Sequence, residues 1–138
     1  MEISPLSDAL GASVTGVDIG KINQAQFAEI QRAFLAHQLL VFREQRIDAE
    51  TQIAFSKRFG PIETRADRPF TLPGYPEVTI LSNRLIDDKP VGVISAGDFW
   101  HTDLSFGEIP CRVTFLYALE VAKEGGDTEW SNIYTAYD

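Results

Sequence analysis

The chain has 138 residues, of which 44% are hydrophobic and 23% charged, and this is the make-up of at most one globular domain rather than of a disordered chain. Its net charge of −8 argues against nucleic acid as a partner, because counterion replacement at phosphates needs a basic face, and it disfavours an anionic membrane surface as well. No apolar run reaches the length of a membrane span.

Met1-Glu2-Ile3-Ser4-Pro5 lacks the basic and apolar regions of a secretory leader. Between Gly11 and Gly20 residues alternate in a way that predicts a short strand bounded by glycines. Asn23 with Gln26 forms a capping-box pattern, and Phe27, Ile30 and Phe34 then recur at helical spacing. This helix should end near His37 or Gln38. The continuous apolar run 39–43 predicts a strand buried on both faces. Asp48 is the expected N-cap of a second helix that runs to Phe59, where Gly60-Pro61 stops it.

Residues 61–76 read as a long loop, Val78 to Ser82 as a strand, and residues 83–98 as a second loop with a short strand at Val91 to Ser95. Phe99 to Asp103 is expected to be a strand end, Ser105 to Pro110 a turn, and Val113 to Val121 a β-rich run. Cys111 cannot form an internal disulfide, fits a reducing cytoplasm, and reads as a small buried hydrophobe. After a turn at Glu124-Gly125-Gly126, Asp127 to Asn132 predicts one more strand, and Tyr134 to Asp138 the first turn of a helix.

Chemistry concentrates at His101-Thr102-Asp103. On an extended strand, residues i and i+2 share a face about 7 Å apart at Cα, so His101 and Asp103 can close on one metal ion while Trp100 and Thr102 point away to pack. Imidazole plus carboxylate is the donor mix of a non-heme Fe(II) oxygenase. Zinc accepts similar donors, although its catalytic sites usually carry three from the protein. The two residues alone are equally the pattern of a strand-end His hydrogen-bonded to a carboxylate.

The surrounding blocks are more specific. Trp100-His101-Thr102-Asp103-Leu104-Ser105-Phe106, then Pro110, Gly125-Gly126-Asp127-Thr128 and Ala136-Tyr137-Asp138, resemble the TauD/TfdA family of Fe(II)/2-oxoglutarate-dependent dioxygenases. Upstream, Leu40-Val41-Phe42-Arg43 and Phe55-Ser56-Lys57-Arg58-Phe59-Gly60-Pro61 look like that family's first buried strand and second helix, so the resemblance covers nearly the whole chain. It implies an α+β, mainly β fold: an incomplete double-stranded β-helix of the jelly-roll or cupin kind with flanking N-terminal helices. Residues 1–138 would form the N-terminal portion of one such domain.

By position, the resemblance implies His101 and Asp103 as metal ligands for Fe(II) and Thr128 as a hydrogen-bond donor to a carboxylate of the cosubstrate 2-oxoglutarate. The implied reaction couples oxidative decarboxylation of 2-oxoglutarate by molecular oxygen to hydroxylation of a C–H bond in a small organic substrate, which in this family is often anionic. The family's second His ligand and its cosubstrate arginine lie downstream of the Gly-Gly-Asp-Thr block and have no counterpart here. His37, at a helix C-terminus, reads as a capping residue instead. These 138 residues are therefore expected to be an inactive portion of a cytoplasmic enzyme, with exposed sheet edges that favour homo-oligomers. The alternatives are a truncated, non-catalytic paralogue that serves as a binding or assembly module, and a different metal-assisted enzyme completed by a partner chain. Arg65, Arg68 and Arg84 sit in loops where they could meet an anionic substrate or simply be solvated, and Phe70, Tyr75 and Phe106 could line a pocket or anchor loops. Residues 61–98 contain no His, which disfavours taurine itself, because taurine-specific members place a sulfonate-binding histidine there.

Overall fold

A computed structural model describes residues 1–64 and 69–137; Arg65 and Arg68, and Asp138 of the last family block, lie outside the described residues. The fold mixes helix and sheet and divides into two compact units, Met1–Ile47 with Ala118–Asp138, and Asp48–Tyr117.

In the first unit, strands β1 (Glu2–Pro5), β2 (Ala12–Thr15) and β3 (Leu40–Phe42) form a sheet in the order β1-β2-β3. β1 runs antiparallel to β2 with Glu2 opposite Thr15, and β2 parallel to β3 with Ala12 opposite Leu40. Parallel neighbours need a crossover, and helix α1 (Gln24–His37) supplies it. Its start is the predicted capping box: Asn23 Oδ1 accepts from Gln26 N at 2.9 Å, and Gln26 Oε1 from Asn23 N at 3.0 Å. Its end is at His37, where Gln38 takes a left-handed conformation and donates its N–H to the Phe34 carbonyl.

Strand alternation and helix periodicity build one core. Ala12 and Val14 point inward against Phe27, Ile30 and Ala33, and all five are buried. Burial of side chains such as Val14 and Ile30 contributes roughly 1.5–3 kcal/mol each. Ala33 takes the buried place expected for Phe34, which is half-buried. β1 was not anticipated; Pro5 is tolerated because the strand is at the sheet edge and ends there. β3 was expected to be buried on both faces, but it is half-buried and pairs only with β2 among the described residues.

Two side-chain amides tie the connections of this unit. Gln45 accepts from Ile19 N at 3.0 Å and donates to the carbonyls of Val17 at 2.9 Å and Arg43 at 2.8 Å. Asn132 accepts from Tyr134 N at 3.0 Å, capping helix α3 (Ile133–Tyr137), and donates to the Ala9 carbonyl at 2.7 Å.

The second unit opens on helix α2 (Ala49–Lys57), capped as expected by Asp48, which accepts from Thr51 N at 2.8 Å. The helix stops two residues short of Phe59, and residues 58–60 continue as a turn whose N–H groups bond the carbonyls of Phe55, Ser56 and Lys57. Both expected long loops contain hairpins. β4 (Thr71–Leu72) and β5 (Tyr75–Thr79) join through Pro73-Gly74, with Gly74 at φ 85°, the left-handed angle that a Pro-Gly turn demands. β6 (Leu85–Ile86) and β7 (Lys89–Pro90) join through Asp87-Asp88, both at positive φ (49° and 60°), a mirror-image turn whose twist matches that of the strands. The strand expected at Val78 to Ser82 is thus β5, displaced toward the N-terminus. A parallel bridge between Leu81 and Val93 stands where the strand at Val91 to Ser95 was expected.

From residue 94 to residue 132 no regular element forms, although strands were expected at Phe99 to Asp103, Val113 to Val121 and Asp127 to Asn132. A segment becomes a strand only when a neighbour completes its hydrogen-bond ladder, and no described residue does so here. The pattern itself survives: Val113, Phe115 and Tyr117 are half-buried while Thr114 and Leu116 are exposed. Phe115 is fixed by edge-on contacts to Phe55 at 5.7 Å and Phe59 at 5.2 Å, which themselves stand 5.5 Å apart. Trp100, expected to pack, is 66% exposed. Cys111 is half-buried rather than buried, and its thiol donates to the Val113 carbonyl at 3.3 Å.

Candidate metal centre

His101 and Asp103 lie in the second unit, on the segment that precedes the Phe115 anchor, and the structure brings their side chains together. Nε2 of His101 stands 3.3 Å from Oδ1 of Asp103, with the two side chains 42% and 44% exposed. They do not meet as i and i+2 of a paired strand. After Asp103 the chain turns through Leu104 at φ 54°, and the Leu104 carbonyl accepts from Gly107 N at 3.0 Å.

Hydrogen bonding decides what the imidazole can do. Nδ1 lies 2.8 Å from the Phe99 carbonyl, and since a carbonyl can only accept, Nδ1 carries the proton. In the neutral ring Nε2 is then the lone pair, and it faces a carboxylate oxygen that is itself an acceptor. Two acceptors at 3.3 Å are stable only with a proton or a cation between them. Two donors bound at about 2.1 Å in adjacent positions of an octahedral ion stand roughly 3 Å apart, so the separation suits a shared metal ion. A backbone carbonyl on the far imidazole nitrogen is also the usual means of fixing a metal-binding histidine. The chemistry of the pair therefore fits two ligands of a divalent ion. Among the described residues no group of three or more His, Cys, Asp and Glu side chains could hold a metal.

The other carboxylate oxygen is held as well. Thr114 Oγ1 donates to Asp103 Oδ2 at 2.7 Å. Sequence reasoning missed Thr114: it is eleven positions beyond Asp103, and only its place on the exposed side of an alternating run, beside Phe115, hinted at a polar task.

Thr128 lies in the first unit, exposed, after the Gly125-Gly126 turn. Gly125 and Gly126 have φ 67° and 71°, two successive left-handed residues that any side chain would strain. His37 is the half-buried last residue of α1, and its backbone carbonyl accepts from Gly11 N at 2.8 Å and Leu39 N at 2.7 Å, whereas the side chain that donates to the helix-end carbonyls of Leu35 and Ala36 is that of Gln38.

Of the residues read as pocket or loop candidates, Arg84 and Phe106 are exposed and Phe70 is half-buried. Tyr75 lines an open groove between α2 and the β4–β5 hairpin, together with Glu50, Ile53, Lys57 and Glu77. Its hydroxyl donates to Glu50 at 3.0 Å, and that bond to a carboxylate raises the phenol above its usual range.

The model of the family described as taurine catabolism dioxygenase TauD, TfdA matches residues 2–138. An (S)-phenoxypropionate/alpha-ketoglutarate-dioxygenase of Sphingobium herbicidovorans is 30% identical over 137 residues, 99% of this chain and 47% of its own length. An alpha-ketoglutarate-dependent 2,4-dichlorophenoxyacetate dioxygenase of Cupriavidus pinatubonensis is 33% identical over 147 residues, 98% of this chain and 51% of its own length. The chain thus spans about half the length of these curated relatives. Among solved structures, a putative alpha-ketoglutarate-dependent taurine dioxygenase from Burkholderia xenovorans superposes with a TM-score of 0.54 at 36% identity, over 62% of this chain and 31% of that one.

Proposed function

Because this chain belongs to the TauD, TfdA family of dioxygenases, we propose that the full protein is an Fe(II)- and 2-oxoglutarate-dependent dioxygenase that hydroxylates a small organic anion. The observation that carries this reading is the His101–Asp103 pair, with Nε2 and a carboxylate oxygen 3.3 Å apart and Nδ1 bonded to the Phe99 carbonyl. His101 ligates through Nε2 and Asp103 through Oδ1. Thr128 donates its hydroxyl hydrogen to a carboxylate of 2-oxoglutarate. When bound, the iron supplies the redox centre at which 2-oxoglutarate and oxygen react, and the protein supplies orientation. In the full protein the runs 113–121 and 127–132 are strands of a jelly roll, completed by partners that the described residues do not contain. Among the described residues, His101 and Asp103 are the protein donors of this site. The substrate is drawn to small anions by the aryloxyalkanoates in the names of the two relatives. The single cysteine suits the cytoplasm.

With Fe(II) and a panel of small carboxylates and sulfonates, the full protein should convert 2-oxoglutarate and O₂ to succinate and CO₂. Thr128→Val should raise the KM for 2-oxoglutarate about tenfold, the usual worth of a hydrogen bond to a charged group. Succinate formation that persists undiminished in His101→Ala would refute the assignment.

A further inference from the structure

Asp103 has two oxygens, and only one of them faces His101. The other accepts the 2.7 Å hydrogen bond from Thr114. We propose that Thr114 is a positioning residue: its hydroxyl holds the Asp103 carboxylate so that Oδ1 presents to the metal beside Nε2 of His101. This rests on the reading of His101 and Asp103 as metal ligands and goes beyond it to name the residue that orients one of them.

A part-exposed carboxylate on a segment without regular structure can rotate about two side-chain bonds, and only a narrow range brings one oxygen beside the imidazole. Thr114 removes that freedom because its own position is fixed from two sides. Its neighbour Phe115 is held by Phe55, on the last turn of α2, and by Phe59 just beyond it. Its hydroxyl also stands 3.7 Å from the Cys111 thiol. The single Thr114 proton goes to the carboxylate, which can only accept, and the single thiol proton goes to the Val113 carbonyl, so the 3.7 Å approach is a packing contact. A line of contacts therefore runs from helix α2 through Phe115 and Thr114 to Asp103, all within the second unit. The β-branched Thr side chain has restricted χ1 freedom, which keeps the hydroxyl aimed. Ligand-orienting partners of this kind are worth 10–100-fold in metal affinity.

The test is Mn(II) binding to the full protein, read from the loss of the free-ion electron paramagnetic resonance signal, with folding checked by circular dichroism. Thr114→Val, which keeps the shape and removes the donor, should weaken Mn(II) binding about tenfold or more. Thr114→Ser, which keeps the donor, should stay within about threefold of the native protein, a rescue that a merely structural role for the threonine methyl would not produce. His101→Ala should abolish tight binding. If Thr114→Val fails to fold, Thr114→Ala is judged by the same criterion. Native affinity in the donor-less variant while His101→Ala binds weakly would overturn the role of Thr114 and leave the metal site standing. Native affinity in His101→Ala would overturn the site itself, and this proposal with it.

Discussion

The Phe99 carbonyl takes the Nδ1 proton of His101, and that one bond turns a generic polar pair into a directional one, with Nε2 facing Asp103. At Gly92 the constraint is spatial. A Cβ there would stand 2.8 Å from both the Ile80 carbonyl oxygen and Ser82 N, against backbone that carries the Val93 N to Ile80 O and Ser82 N to Val93 O hydrogen bonds. Gly92→Ala should therefore destabilise the second unit by about 1–3 kcal/mol, the usual cost of overpacking, measured by urea unfolding. A variant as stable as the native protein would mean that the backbone there yields freely. The motif His101-Thr102-Asp103 was legible in the sequence because it is local. Thr114 and the Phe99 carbonyl were not, since one is a tertiary contact and the other a backbone group common to every residue.

Among the elements, the helix starts were the most readable, because their signals lie within one turn. Asn23 with Gln26 and Asp48 with Thr51 make the bonds that their spacing implies. Hydrogen bonds to Thr51, from its side chain first and its backbone second, hold the Asp48 carboxyl below its usual range. A lowered folded-state value adds stability above the unfolded value, and that stability is lost as pH falls through the folded one. Asp48→Ala should thus lower the Tm at pH 7, with the gap to the native protein closing as the pH falls below the carboxylate range. A gap that stays constant down to the acid limit would contradict the charged cap. The hairpins were missed because Pro73-Gly74 and Asp87-Asp88 are turn signals only when their flanks pair, and the flanks are two to five residues long. The run from Val113 keeps the alternation of a strand without a ladder among the described residues, since alternation is local whereas a ladder needs a second strand.

For the whole molecule, family membership and half-length coverage of the relatives have to be held together. One unit carries His101, Asp103 and Thr114, and the other carries Thr128. Apolar side chains stand in water along the segment without ladders: Ile109 is 83% exposed and Leu119 84%. No helix among the described residues is long and apolar enough to cross a membrane. On the proposed function, His101 and Asp103 would hold an iron ion to which 2-oxoglutarate could bind. This is tested most directly by adding Fe(II) and 2-oxoglutarate to the full protein without oxygen and recording the visible spectrum. A charge-transfer band is expected in the native protein and none in His101→Ala. A band of native strength in His101→Ala would contradict the proposed function.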